Sequence, residues 1–205
     1  MTSDQSIGLK RGTVHLRASD PEWPNAFRDE AARLERCIAD GGLPRLRFEH
    51  VGSTAVPGLA AKPIIDLTVV VPAAPDVPVA VTRLASLGYV HQGTLGVEGR
   101  DTFQAPAPTP RHHLYLCPRD SLALRNHVAV RDYLRAHPDV AKQYGDLKKQ
   151  LALRHPDDIN AYVAGKTDLI IRILSAGGFG LDELEAIRHI NSMGGSVKPP
   201  ASRDR

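Results

Sequence analysis

The sequence predicts an α/β domain followed by a group of helices. Three observations support this fold class: the first half alternates helical periodicity with short β-branched runs, its loops are rich in glycine and proline, and the second half has only helical patterns. With 205 residues, 42% of them hydrophobic, the chain is long enough to bury one core but not several. We therefore predict an α/β core over residues 12–118, a helical subdomain over 119–190 and a flexible tail over 191–205.

The first half supplies the candidate strands and two helices. Apolar residues recur at spacings of three and four from Trp23 to Ile38, directly after Asp20 and Pro21, a pair that favours the start of a helix. Residues 64–71 are almost continuously apolar and β-branched, which is typical of a buried strand. The other predicted elements are strands at 46–51 and 112–117, a helix at 79–87, and a hairpin formed by 89–91 and 95–97.

The second half is predicted to be helical throughout. His-Pro pairs at 137–138 and 155–156 separate successive helices, because the residue before a proline avoids the helical conformation. The predicted helices span 121–137, 138–155, 156–176 and 181–190. The excess positive charge also lies in this half: 14 basic against 11 acidic residues follow position 118, whereas 12 of each precede it.

The composition excludes several classes of protein. A net charge of +3 and an aromatic content of 5% are too low to indicate nucleic-acid binding. Cys37 and Cys117 form neither a disulfide framework nor a zinc motif. No stretch approaches the roughly 18 apolar residues of a membrane span, and the N-terminus lacks the apolar segment of a signal peptide. We therefore expect a cytoplasmic protein that binds a small molecule.

The segment 49–68, EHVGSTAVPGLAAKPIIDLT, has the most unusual pattern in the chain. A predicted strand ends at Gly52 and Ser53, where a glycine lets an anion approach the backbone and a serine offers a hydroxyl. The next strand carries Asp66 within an apolar run, and a carboxylate there must be paired, hydrogen-bonded or bound to a metal. Two interpretations remain open: Asp66 pairs with Lys62 or an arginine and stabilises the sheet, or it belongs to a functional site.

Three phrases of the sequence resemble the GrpB (UPF0157) family: EHVGSTAVPGLAAKPIIDL, RHHLYL and VRDYLRAHPDVAKQYGDLKKQLA. The resemblance extends from Val14 to Ala176. That family is placed in the nucleotidyltransferase superfamily of polymerase-β type, and it also resembles the domain fused behind dephospho-CoA kinase in some bacteria. The resemblance implies a polymerase-β-like nucleotidyltransferase core with a mixed sheet, plus a C-terminal helical subdomain. It indicates the fold more firmly than the reaction.

The resemblance also implies a site for phosphate and metal ions. In the superfamily a Gly-Ser turn binds nucleotide phosphates, and three carboxylates on neighbouring strands hold two divalent metals that clamp the reacting oxygens. The Gly52–Ser53 turn matches the first feature, and Asp66 matches the first acid. Thr68 stands where the second acid would be, and either His113 or Tyr115 occupies the third position.

The absence of two acids at these positions changes which cofactor is expected. One carboxylate with neutral ligands holds Mg²⁺ weakly, whereas Asp66 with His113, and with His50 as a further option, suits Mn²⁺ or Zn²⁺ better. A metal-free site that uses imidazole as acid or base fits these residues as well. We predict Asp66 and His113 as the catalytic and metal-binding residues, with Mg²⁺ or Mn²⁺, alternatively Zn²⁺, and a nucleoside triphosphate as cofactors.

Further polar and basic residues are predicted to bind the phosphates. Arginine can meet a phosphate bidentately, and in such folds a helical bundle commonly closes over the nucleotide. For each basic residue the alternative is a solvated surface position. The predicted nucleotide ligands are Gly52, Ser53, Thr54, Lys62, Arg111, Arg131, Lys148 and Lys166.

Three functional hypotheses follow from these residues. The first is a nucleotidyltransferase-like protein that binds a nucleotide or another phosphorylated small molecule and, if catalytic, transfers a nucleotidyl group to a small-molecule hydroxyl. The second is a non-catalytic module that binds a ligand or assists a partner enzyme. The third is hydrolysis of a small ester or phosphate at a mononuclear His/Asp metal site. Thr68 and His113 separate them, because they replace acids that nucleotidyl transfer normally uses.

Overall fold

A mixed five-stranded sheet lies at the centre of the molecule, for which a computed structural model describes residues 13–38, 46–107 and 112–192. Its strands are β1 (Arg47–Val51), β2 (Ile65–Val71), β3 (Val90–His91), β4 (Asp101–Gln104) and β5 (His112–Pro118). The order across the sheet is β1-β2-β5-β4-β3. β2 and β5 are parallel, and the other neighbouring strands pair antiparallel.

Two helices precede β5 and the others follow it. The helices are α1 (Trp23–Ile38), α2 (Val77–Ser86), α3 (Leu122–Ala136), α4 (Pro138–Arg154), α5 (Ile159–Ala164), α6 (Thr167–Ala176) and α7 (Leu181–Ser192). The side chain of Ser121 caps α3, because its Oγ accepts a hydrogen bond from the N–H of Leu124. None of the helices in the described ranges is both long and apolar enough to cross a membrane.

Alternation along the central strands gives the sheet two different faces. Leu67, Val69 and Leu114 point to one face and pack with α1 and α2 in a buried apolar cluster. Each fully buried leucine there stabilises the fold by about 2 kcal/mol. Asp66 and His113 lie on the opposite face, which α3 approaches.

The parallel pairing of β2 and β5 places residues that are far apart in sequence beside each other. Parallel neighbours require a long crossover, and here it consists of α2 and the antiparallel pair β3 and β4. The register pairs Asp66 with His113 and Thr68 with Tyr115. The side chains of these four residues therefore share one face of the sheet.

Two of the predicted elements are wrong in part. β3 does not pair with residues 95–97, as the predicted hairpin required, but with β4. Glycines at positive φ recur at Gly93, Gly96 and Gly99, and such a backbone interrupts a strand. The predicted helix over 156–176 is two helices, α5 and α6, which are separated at Gly165 and Lys166.

The fold class is as predicted, with a mixed sheet in the first part of the chain and helices in the second. β5 ends at Pro118 and α3 begins at Leu122, close to the predicted boundary between core and subdomain. The division into two domains stays a prediction. Of the predicted tail, residues 191–192 belong to α7, and residues 193–205 lie outside the described part of the chain.

Candidate functional site

A tight turn between β1 and a short helical turn, Ser53–Ala55, forms the centre of the candidate site. Gly52 adopts φ 71°, a conformation that favours glycine. A Cβ atom at this position would overlap Oδ2 of Asp66 and would lie 2.9 Å from its Cγ. The turn can therefore close over the Asp66 carboxylate only because residue 52 has no side chain.

Asp66 and His113 form a hydrogen-bonded pair across β2 and β5. The Nδ1 atom of His113 lies 2.9 Å from Oδ1 of Asp66, and the two side chains are 45% and 26% exposed. Burial raises the pKa of Asp66, but the His113 imidazole and then the Lys62 ammonium outweigh it and hold the pKa below its usual value. Asp66 is therefore ionised near neutral pH. The structure brings together the two residues predicted to be catalytic.

The other two positions on this face carry uncharged side chains. Thr68 is 0% exposed, and its Oγ1 has no hydrogen-bond partner in the described part of the chain. Burial and then the Asp66 carboxylate raise the pKa of Tyr115 above its usual value, so its hydroxyl is protonated. Asp66 is thus the sole carboxylate among the four side chains that the β2–β5 register brings together.

Lys148 lies directly behind the turn. Its side chain comes from α4, the residue is 1% exposed, and its Nζ donates to Ser53 Oγ at 2.9 Å and to the carbonyl oxygen of Ala60. Burial lowers the pKa of Lys148 to about 7, because the ammonium has lost its water and has no carboxylate within salt-bridge distance among the described residues. The Nζ atom also lies 4.9 Å from the ring centroid of Tyr144.

Two further lysines contribute positive charge beside Asp66. Burial and then the charge of Lys62 lower the pKa of Lys166 to about 8, and the Lys166 Nζ lies 4.4 Å from the ring centroid of Tyr162. Burial also lowers the pKa of Lys62, against the opposing effect of Asp66. Lys62, Lys148 and Lys166 all act on one carboxylate, Asp66, and their excess positive charge attracts an anion.

A cavity of about 200 Å³ opens beside the turn. Helix α3 contributes most of the described lining, and the turn, Lys166 and single residues of α4, α5, α6 and α7 contribute the remainder. Its polar lining residues are Gly52, Ser53, Asn126, His127, Arg131, Tyr144, Lys166 and Asn191. Of the residues predicted to bind a nucleotide, the cavity therefore brings together the Gly52–Ser53 turn, Arg131 and Lys166. Lys148 lies directly behind Ser53.

Arg131 lines the cavity, but its guanidinium is already engaged by other residues. It donates to Glu49 at 2.5 Å, to the carbonyl oxygen of His50 at 3.0 Å, and through Nε and NH2 to Asp132 at 2.7 and 3.1 Å. Four of its five N–H groups are thereby used. Arg131 thus holds α3 against β1, and its predicted contact with a phosphate would depend on one remaining donor.

Two other predicted contributors do not point into the cavity. The Thr54 hydroxyl is buried and lies 3.0 Å from His50 Nε2, so Thr54 can offer a phosphate only its backbone. His50 pairs with Leu67 across β1 and β2 and stacks on Phe27 of α1 at 4.7 Å between ring centroids. It therefore faces away from Asp66, and the option of His50 as a metal ligand does not hold. Arg111 lies outside the described residues.

The donor set does not fit the two-metal centre that the family resemblance implies. Within the described ranges there is no group of three or more His, Cys, Asp or Glu side chains that could hold a metal ion. Asp66 and His113 are bonded to each other, and the positive charge of Lys62 acts on the same carboxylate. A bound divalent ion and the mononuclear hydrolase hypothesis stay predictions.

Sequence reasoning missed three residues near the site. Tyr144 and His127 occupy positions of amphipathic helices that are indistinguishable in sequence from ordinary core positions. Arg100 follows the glycine-rich turn that was predicted as a strand, and its guanidinium carbon lies 4.8 Å from the ring centroid of Tyr115. The non-periodic segment V-E-G-R-D was the available signal, because an arginine there belongs to no predicted element.

Comparison with known proteins assigns the chain to a family. Residues 13–176 match the model of the family described as GrpB protein. The chain belongs to the GrpB family. It is 39% identical over 157 residues to the UPF0157 protein YqkA of Bacillus subtilis (strain 168), an alignment that covers 77% of this chain and 45% of YqkA. The chain thus spans less than half the length of that GrpB-family relative.

Solved structures agree with this assignment. The crystal structure of conserved protein GrpB from Enterococcus faecalis superimposes with a TM-score of 0.67 at 35% identity and covers 85% of this chain and 98% of that one. The Cid1 poly(U) polymerase bound to Mg 3′-dATP gives a TM-score of 0.50 at 14% identity, with coverages of 74% and 50%. At that identity the likeness concerns the fold alone. The predicted core, of the polymerase-β-like nucleotidyltransferase type, is confirmed as a fold class.

Proposed function

We propose that this GrpB-family protein binds a nucleotide or another phosphorylated small molecule beside the Gly52–Ser53 turn. The observation that carries the proposal is the position of Lys148, which donates to Ser53, and of Lys166, which lines the cavity. Burial is the main cause that lowers the pKa of both lysines, and the repulsion of Lys166 on Lys148 and of Lys62 on Lys166 adds to it. A phosphate group would relieve this repulsion. A cytoplasmic location is part of the same proposal.

The turn is suited to hold the phosphate itself. A glycine at positive φ followed by a helical turn directs successive backbone N–H groups toward one point, which is a common anion-binding arrangement. Ser53 Oγ accepts from Lys148 and its hydroxyl also interacts with the Tyr144 side chain, so a phosphate oxygen would take the Ser53 hydroxyl hydrogen in competition with Tyr144. Lys166 lines the same cavity and supplies a second charge.

In nucleotidyl transfer, Asp66 and His113 would act together to remove the proton from the acceptor hydroxyl. The Asp66 carboxylate accepts from Nδ1–H of His113, which leaves Nε2 as the basic nitrogen. An acceptor hydroxyl would lose its proton to Nε2 while its oxygen bonds to the α-phosphorus and the bond to the pyrophosphate oxygen breaks. Protonated lysines would neutralise the charge that develops on the leaving pyrophosphate.

The binding proposal is tested by comparing two lysines of the helical half. We expect pyrophosphate and ATP, CTP, GTP or UTP to raise the melting temperature of the wild-type protein, with and without Mg²⁺, Mn²⁺ or Zn²⁺. Lys166→Gln should weaken pyrophosphate binding by about tenfold or more, measured by calorimetry, because it removes a charge that lines the cavity. Lys142→Gln is the matched control, since Lys142 is exposed and pairs with Asp146.

Equal binding by Lys166→Gln and wild type would refute the proposed location. No stabilisation of the wild-type protein by any of the five phosphate ligands would refute phosphate binding itself.

The catalytic part of the proposal has a separate test. Asp66→Asn should reduce pyrophosphate release from a nucleoside triphosphate, with glycerol as a generic hydroxyl acceptor, by about 100-fold or more. The same variant should bind pyrophosphate at least as tightly as the wild-type protein, because the site loses the carboxylate that opposes an anion. Unchanged release by Asp66→Asn would remove Asp66 from the mechanism.

One observation favours the non-catalytic alternative. Thr68 fills the position of the second acid and either His113 or Tyr115 fills that of the third, so Asp66 is the sole carboxylate among the four side chains that β2 and β5 bring together on this face. A wild-type protein that binds nucleoside triphosphates but releases no pyrophosphate with any of the three metals would establish this alternative, a ligand-binding or partner-assisting module.

A further inference from the structure

A second and larger cavity lies next to the cavity of about 200 Å³ beside the Gly52–Ser53 turn. Its volume is about 450 Å³, which is in the range of small-molecule sites. It lies between the turn before β4, the first residues of α3 and the last turns of α7. Val97, Ala123, Ile187 and Ile190 give it apolar walls.

Two polar atoms at this cavity have no partner. Arg100 and His127 line it, and both Arg100 Nε and His127 Nδ1 are buried without a hydrogen bond to any described residue. Buried donors and acceptors in folded proteins are almost always paired. Since burial lowers the pKa of His127 to about 4, its imidazole is neutral. The pair therefore consists of one cation and one neutral group, and each has one buried nitrogen without a hydrogen-bond partner among the described residues.

The charges at this cavity indicate how much negative charge it would accept. Arg100 forms no salt bridge within the described part of the chain, and its guanidinium carbon lies 4.8 Å from the ring centroid of Tyr115, within the range of a cation–π contact. Glu98, which is exposed, contributes one carboxylate to the lining. Because Arg100 is the one cation among the described lining residues, the cavity suits a ligand with a single negative charge.

The shape of the guanidinium distinguishes between monoanions. A guanidinium offers a planar pair of N–H groups that matches the two oxygens of a carboxylate, and because Arg100 Nε is buried this pair would come from the two terminal nitrogens. Apart from Arg100 and Glu98, the described lining residues carry no charged group for a ligand to meet. These features favour a carboxylic acid with an apolar body over a second phosphate.

We propose that this cavity binds a small monocarboxylic acid, with the carboxylate on Arg100 and the apolar body against α7. Asn126, His127 and Asn191 line both cavities, so ligands in the two would be neighbours. The acid would then be the second ligand of the site and, if it carries a hydroxyl on its apolar body, the acceptor of the nucleotidyl group. That role rests on the proposed function, whereas the binding of the acid does not.

The test uses hexanoate and benzoate as probes, with hexanamide and benzamide as neutral analogues of the same shape. We expect saturation-transfer NMR to detect both acids on the wild-type protein and neither amide. Arg100→Gln should weaken binding of the acids by about tenfold or more, because it removes the charged, bidentate donor. Arg119→Gln removes an exposed arginine three residues before α3 and should bind the acids like the wild-type protein.

The controls separate this inference from the proposed function. Lys166→Gln should bind pyrophosphate more weakly and bind the acids as the wild-type protein does. Arg100→Gln should bind the acids more weakly and bind pyrophosphate as the wild-type protein does. Arg100→Lys retains the charge over Tyr115 and should bind the acids with intermediate affinity, which also covers the case that Arg100→Gln does not fold. Equal binding of acids and amides, equal binding by Arg100→Gln and wild type, or pyrophosphate binding without any acid binding would each overturn the inference.

Discussion

Gly52 shows how a single residue can set the geometry of the whole site. Its positive φ and the Asp66 carboxylate beside it exclude a side chain for two independent reasons. Gly58, six residues later, shares the positive φ of 77° but would place a Cβ in open space. Substitutions at the two glycines therefore separate two free-energy costs: that of a side chain in the left-handed conformation, and that of a Cβ atom pressed against Asp66.

We predict different costs for the same substitution at these two positions. Gly58→Ala should lower the free energy of unfolding by about 1 kcal/mol, the penalty of the left-handed conformation. Gly52→Ala should lower it by about 3 kcal/mol, because a Cβ also displaces Asp66. Urea denaturation of both variants gives the comparison, and equal costs would show that the Asp66 contact does not constrain the turn.

Helix α4 shows how one element can couple the fold to proton binding. It delivers Lys148 to the back of the turn, where the ammonium meets Ser53 and Ala60 but no carboxylate. The folded protein therefore holds this lysine with a pKa of about 7, whereas the unfolded chain has a value near 10.5. Between these values the unfolded state binds more protons, so the free energy of unfolding rises with pH.

We predict that the stability of the free protein increases from pH 7 to pH 9. Lys148→Met should reduce this slope, because it removes the group whose pKa differs most between the two states in that range. Part of the slope should remain, since the pKa of Lys166 is also lowered, to about 8. Lys142→Met, on the exposed side of α4, should leave the slope unchanged. Denaturation curves at several pH values measure how the free energy of unfolding changes with pH. Identical slopes in Lys148→Met and the wild-type protein would contradict a buried charge at this position.

At the scale of the whole molecule, the sheet was predictable because its strands carry local signals. The β-branched run of β2 and the helical stripe of α1 each appear within one short segment. The β3–β4 pairing was not predictable in this way, because no alternating pattern marks the start of β4. The positive-φ glycines between the two strands determine where β4 begins.

The candidate site was predictable only where a motif or a resemblance marked it. Asp66 was found because it interrupts an apolar strand and His113 because the family resemblance marked its position, and their contact follows from the register of β2 and β5. The binding partners of Arg131 were not predictable, since Glu49 is 82 residues away and nothing local couples them. The second cavity forms where the start of α3, the end of α7 and the loop residue Arg100 come together. These segments are far apart in sequence, so the cavity is visible only in the folded chain.

The crowding of Lys62, Lys148 and Lys166 has a consequence for the lifetime of the protein. A molecule whose stability is reduced by internal repulsion opens more often than its complex does, and proteases attack the open form. An anion that neutralises the three ammonium groups would therefore protect the chain from degradation. If the proposed anion binds beside the turn, the amount of this protein in a cell would rise with the supply of that anion.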